Sequence, residues 1–307
     1  MVRLAVISLS RGCRMKAVRA LAVLVAAVLL PVSVHAQKAP SVADVVRAAA
    51  DYLASYTPRI SGVTLEEEFT LLEVSGGRLG LSQRIASDFV LLNLNGTVAA
   101  LRDPFAVDTN PLRERTPRLT TLLQNPTGAT WRRAQEHAAE SRRDFLDELI
   151  VRLAEPELTL QFVAPENQPR VTYKIDGRKK LGDVETVVLR FQEIKTKPPA
   201  YILQTPGNAI SNGKLWIDPA TGRVHRTELS MQSDSESVHV VVEYARDAAL
   251  DLWLPSSMTG TFDATERVGT GMNTMGAGRP EIGRRSFECR VNYSNARLTP
   301  IDLRIRQ

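Results

Sequence analysis

Two cysteines and four histidines are all the thiol and imidazole groups in the 307 residues, and none is spaced as a metal ligand set. Cys289, in "RSFECRVNY", shares strand parity with Phe287, Val291 and Tyr293, which makes it a small buried apolar residue rather than a reactive thiol. His137, His225 and His239 stand far from one another, and His35 belongs to the leader described below. No "GxSxG" element is present, and no serine lies near a histidine and an acid in a supportive context. The carboxylate pairs Glu66 with Glu68 and Asp147 with Glu148 read as ordinary strand and helix surface. Glu67 is the one acid on a mostly apolar strand face, and it is expected at a strand end or barrel rim, reaching water. The glycine-rich stretch "RVGTGMNTMGAGRPEIG" (267–283) lacks the Lys-Ser/Thr of a nucleotide loop and opens no helix, so it reads as a hairpin loop. These residues carry no catalysis and call for no cofactor and no metal.

The ends of the chain bound the remaining possibilities. "MVRLAVISLSRGCRMKAVRA" is basic without an acid, "LAVLVAAVLL" is apolar, and "PVSVHAQ" offers a small-x-small exit, the pattern of a secretory signal peptide cut after Ala36. Met15 is an alternative start. The apolar run is shorter than the roughly 20 residues of a spanning helix. Cys13 leaves with this segment, so no internal disulfide forms. Five of the 39 basic residues leave with it too, and the remaining 34 match the 34 acidic ones. The alkaline isoelectric point is therefore a property of the leader and argues for no nucleic acid. An aromatic content of 6% supplies no stacking platform for one either. A periplasmic or secreted protein with one domain, 37–307, is expected.

The elements that would position any site follow from the periods. "SVADVVRAAADYLASYTPRI" predicts a helix over 41–56, with Ser41 as N-cap, Asp44 completing a capping box, and Pro58 closing it. Val42, Val45, Val46, Ala49, Tyr52, Leu53 and Tyr56 form its apolar stripe. "VTLEEEFTLLEV" and "LSQRIASDFVLLNLNG" then alternate at period two around "SGGRLG", a hairpin with one dry and one wet face. Residues 98–153 predict a proline-bearing loop, a short helix near 113–124 and a long one over about 130–153. Trp131, Ala134, Ala138, Phe145, Leu149 and Leu153 stripe this insertion, which spans about 112–153. After Pro156 about ten more short strands are expected, beginning with "LTLQFVA" and including "AYILQT" and "IDLRIRQ", roughly twelve in all. Strands so closely spaced form an antiparallel meander, which tends to curl. The fold class is mainly β with helices, α+β: a large curved meander forming a half-barrel, covered by the N-terminal helix and the insertion.

The most legible stretch is "LWIDPATGRVHRTEL". Asp218 can accept a hydrogen bond from the turn, Pro219 presets its φ, and Gly222 can go left-handed. It resembles the "W-[IV]-D-x-x-T-G-x-[PV]-x-[KR]-x-E" hairpin of the periplasmic lipoprotein-carrier superfamily, and "SNARLTPIDLRI" looks like the closing strands of such proteins. The resemblance implies an N-terminal helix, a half-barrel with helices plugging its open side, and an apolar ligand, lipid or lipidated protein, in the concavity. Residues expected to line it are Phe69, Leu71, Phe89, Leu91, Leu189, Phe191, Val240 and Val242. The rival expectation is an interaction or sensor module with a filled interior that engages an envelope protein partner.

Overall fold

Alternating apolar residues become eleven strands of one sheet, and its strand order explains the rest of the molecule. The computed structural model describes residues 40–75, 78–94, 96–116, 118–124, 127–145, 154–198, 209–233, 236–268, 281–299 and 301. Helix α1 (Val42–Arg59) precedes strands β1 (Val63–Ser75), β2 (Arg78–Leu94), β3 (Thr97–Val107) and β4 (Asn110–Pro111). Helices α2 (Arg118–Gln124) and α3 (Gly128–Ser141) follow, then 3-10 turns at Arg142–Asp144, Leu158–Val163 and Gln168–Arg170. The remaining strands are β5 (Val171–Leu181), β6 (Val184–Glu193), β7 (Ile210–Ile217), β8 (Val224–Gln232), β9 (Glu236–Asp247), β10 (Leu252–Val268) and β11 (Glu281–Leu298).

The spatial order is β4-β3-β2-β1-β11-β10-β9-β8-β7-β6-β5, antiparallel at every junction, in a curved and unclosed sheet. The half-barrel is therefore present. Because β1 pairs with β11, the first and last strands meet in the middle of the sheet, and both edges come from the middle of the chain. The connection from edge β4 to edge β5 must consequently travel from one side of the trough to the other.

Strand parity separates two apolar layers. Leu65, Phe69 and Leu71 of β1 and Ile85, Phe89 and Leu91 of β2 face the inner core, together with Val45, Ala49, Leu53 and Tyr56 of α1. Val90 and Leu92 point the other way and pack with Leu119 and Leu123 of α2 and Ala134 of α3. Helix α1 touches β2 near one edge and β5 and β6 at the other, so it bridges the open side. Its capping box is formed: Asp44 N–H donates to Ser41 Oγ at 3.2 Å and Ser41 N–H to Asp44 Oδ2 at 3.3 Å. The hairpin turn is as expected, with Ala220 N–H donating to Asp218 Oδ1 and Gly222 at φ +70°. A Cβ on Gly222 would also lie 2.0 Å from the Ala48 carbonyl oxygen, so the turn docks on α1 through its lack of a side chain.

Several expectations are corrected. Residues 97–107 form β3 rather than a loop; a bulge between Ala86 and Ser87 in the β2 register accommodates Pro104, which has no N–H to give. The short helix begins at Arg118, and α3 ends at Ser141, passing into a 3-10 turn instead of running to 153. "LTLQFVA" is a 3-10 turn, not a strand, because it lies against the inner wall with no strand beside it to supply a ladder. Glu67 reaches no water: it is fully buried and ion-paired. Leu149, Leu153, "AYILQT", the loop tip 269–280, all of "IDLRIRQ" but Ile301, and the leader with its cleavage position lie outside the described residues. No helix among the described residues is long and apolar enough to cross a membrane.

Candidate functional site: the occupied trough

The eight expected lining residues come together on one wall. Phe69 and Leu71 of β1, Phe89 and Leu91 of β2, Leu189 and Phe191 of β6, and Val240 and Val242 of β9 are all buried members of the inner cluster. In the described conformation they face the protein's own chain. The β4-to-β5 connection passes over the outer face as α2 and α3 and then turns inward, where Phe145 meets Phe69 edge-on with ring centroids 5.5 Å apart. Residues 154–164 then run through the hollow. Leu158, Leu160, Phe162 and Val163 are each no more than 5% exposed, and Phe162 stacks on Phe191 at 4.5 Å. Gly213 makes room for that ring: a Cβ there would stand 2.8 Å from Phe191.

This segment is held mainly through its backbone carbonyls. Arg102 of β3 donates to Ala154 O, Tyr244 of β9 donates to Pro156 O at 2.6 Å, and Tyr173 of β5 donates to Phe162 O at 2.5 Å. The fourth tie is a side chain: Tyr56 of α1 donates to Glu157 Oε1 at 3.0 Å. The anchors come from four elements spread over both halves of the sheet and the roof. Every one of them is a donor on the wall and an acceptor on the segment.

Two buried charges accompany the segment. Arg102 Nε donates to both oxygens of Glu67, at 2.8 and 3.1 Å, and its guanidinium lies 4.7 Å from the Phe89 ring centre. Burial works against the Arg102 charge, but the Glu67 carboxylate, with Tyr293 and Glu155 beside it, more than offsets this and holds the guanidinium pKa above its ordinary value. Glu157 has no such partner. It is 4% exposed, its Oε2 has no hydrogen-bond partner among the described residues, and burial pushes its carboxyl up to about 8. The phenols Tyr56 and Tyr244 are likewise pushed up by burial and stay protonated.

Sequence patterning missed the polar half of this arrangement. Val98, Ala100 and Arg102 share one face of a strand that proline had disguised as a loop, and that parity is the signal that would have paired Arg102 with the misplaced acid Glu67. Glu157 carried no signal, since its surroundings are assembled from α1 and β9 across the whole chain.

Burial drives the Cys289 thiol to about 12, far from a thiolate nucleophile. No group of three or more potential metal-ligating side chains occurs among the described residues. On the outer side, a groove of about 550 Å³ between α2 and α3 is lined by Arg118, Arg133, Glu136, His137 and Glu140. At the sheet behind it, buried Asp103 accepts from Arg118 and lies 3.1 Å from His137 Nε2. Its cross-strand neighbour Asp88 contacts Arg115 and Arg297. These contacts clamp the helical insertion to the outer face.

No protein-family model and no curated protein matches the chain. Among solved structures it is similar to a domain from Vibrio parahaemolyticus named for outer membrane lipoprotein sorting, at 9% identity and TM-score 0.39, over 86% of this chain and 96% of that one. A DUF1329 family protein from Desulfovibrio piger is similar at 12% identity and TM-score 0.33, over 85% and 95%. A LolA superfamily protein from Nitrosomonas europaea is similar at 11% identity and TM-score 0.29, over 82% and 94%. The half-barrel stands on this chain's own strand order and register: the N-terminal helix and the unclosed meander that the hairpin resemblance implied are present, and α1 bridges the open side, whereas α2 and α3 lie on the outer face instead of plugging the hollow.

Proposed function

We propose that this is a periplasmic binding protein for an apolar ligand, a lipid or the acyl part of a lipidated protein. The ligand is held against the inner wall of the half-barrel, where residues 154–164 now lie. The observation that carries this is the nature of the occupant. This segment belongs to no strand ladder and has three carbonyls satisfied by wall side chains instead. Such an occupant can be exchanged, because its leaving exposes donors and an apolar wall rather than a broken ladder. Phe69, Leu71, Phe89, Leu91, Leu189, Phe191, Val240 and Val242 are then the ligand's contacts.

The test is solvent extraction of the protein purified from envelope fractions, with mass spectrometry of the extract, and titration of the stripped protein with a fluorescent fatty-acyl probe. Acyl species in the extract and saturable probe binding are expected. Replacing Tyr173 and Tyr244 by Phe removes two anchors without making the wall polar, and should raise probe affinity severalfold. No acyl species, and no binding by either protein, would overturn the proposal.

A second reading rests on the filled hollow itself: an envelope interaction module with no small ligand, using the outer face with its α2–α3 groove. It predicts a stable protein partner recovered by cross-linking that is lost on charge reversal at Arg133 and Glu140, with no acyl species extracted.

A further inference from the structure

We infer that Glu157 is an ionisable latch: the segment 154–163 seats in the trough while this carboxyl carries its proton, and the seat loosens when the proton leaves. The inference rests on the trough being a ligand site that this segment occupies, and it names what regulates access.

The geometry makes the carboxyl the weak point of an otherwise well-tied segment. Its neighbours on the segment, Ala154, Pro156 and Phe162, are tied by carbonyls that no pH change touches. Among the described residues the Glu157 carboxyl has one hydrogen bond, from Tyr56, and one oxygen without a partner. The titratable groups that face it among the described residues are uncharged phenols: Tyr52 and Tyr56 of α1 and Tyr244 of β9. From β8, which also packs on the segment, the buried inner residues Thr227, Leu229 and Met231 bring no charge. The arginines nearest this end, Arg59 and Arg223, act on Tyr52 and not on the Glu157 carboxyl. Glu155, two residues before, is an acid too: burial disfavours its anion, Arg102 and Arg142 partly offset that, and in neither protonation state does it bring positive charge to Glu157.

An isolated carboxylate in such surroundings is far less stable than in water. A chain that can move the group to solvent will do so on ionisation. No ordered ladder opposes the movement, since the segment's own amide bonds are short-range ones such as Leu158 N–H to Glu155 O and Leu160 N–H to Glu157 O. The ordinary carboxyl value of 4.5 and the buried one of about 8 place the change between mildly acidic and mildly alkaline conditions.

The test is hydrogen exchange followed by mass spectrometry on the full protein at pH 6 and pH 9, corrected for intrinsic exchange rates. In the unmodified protein, protection of amides 158–164 is expected to fall by about tenfold or more between the two pH values, while that of the β9 amides 238–242 holds. Glu157→Gln keeps the acceptor for Tyr56 but cannot ionise, and its protection over 158–164 should change by less than about twofold. Equal losses in both proteins, or no loss in the unmodified one, would overturn the latch. Binding of the acyl probe at the same two pH values separates the layers. Loosening with a parallel gain in binding supports latch and ligand site together. Loosening without binding supports the latch and sinks the ligand site. Binding that is independent of pH in both proteins, with no loosening, sinks the latch alone.

Discussion

Two glutamates in one interior illustrate how a side chain's partner, more than its burial, sets its behaviour. Glu67 has Arg102 and forms a bidentate pair; replacing Arg102 by Met strands the carboxylate and should cost about 3–5 kcal/mol in urea unfolding. Changing Glu67 to Leu as well should restore most of that loss, because apolar residues of similar size tolerate such a site. Glu157 has only Tyr56. Its native carboxyl stays protonated up to about 8 while the unfolded one titrates near 4.5, so the native state holds more protons between those values. Stability from this group is therefore fully present below about 4.5, falls as pH rises through the window, and levels off above about 8. Thermal unfolding of Glu157→Gln should lack this decline and should exceed the parent by about 3 kcal/mol at pH 7.

Among the elements, α1 and the β7–β8 hairpin act as one unit. The apolar stripe of α1 faces the hollow, its capping box secures its start, and the turn at Gly222 rests against Ala48. Ser41→Ala should cost about 1 kcal/mol through loss of the cap. Gly222→Ala should cost more, about 1–3 kcal/mol for the left-handed backbone alone, with displacement of α1 in addition. Urea unfolding measures both, and increased exchange of the α1 amides in the glycine variant but not in a surface control would report the displacement. The helices α2 and α3 form a second unit on the opposite face of the sheet, held by Asp103, while Asp88 holds Arg115 just before α2.

At the scale of the molecule, one topological fact organises the interior. Pairing the first strand with the last puts both sheet edges in mid-chain, and the connection between them has to cross the trough. The crossing residues fill the space that an open half-barrel would leave empty. Phe162 sits at the centre of that filling, on Phe191 and beside Gly213. Phe162→Ala should destabilise the protein by about 3–5 kcal/mol and leave an apolar void. If the wall accepts apolar ligands, the same variant should take up the acyl probe more readily than the parent, read as a gain in Tm on adding probe.

Period and turn chemistry by themselves determined much of this protein. Alternation in β1 and β2, the Ser41 and Asp44 box, and Asp218 with Gly222 are interactions between neighbours in the chain, and their residue types are enough to specify them. That Phe69, Leu71, Phe89, Leu91, Leu189, Phe191, Val240 and Val242 turn to the inner, buried face was legible for the same reason, since a shared strand face is a local property. Tertiary structure alone decided which space those residues face, that Glu67 meets Arg102, and that Glu157 meets Tyr56. Those outcomes depend on bringing together groups tens to a hundred residues apart, and on a mid-chain crossing that is imposed by the pairing of β1 with β11 and by no local pattern.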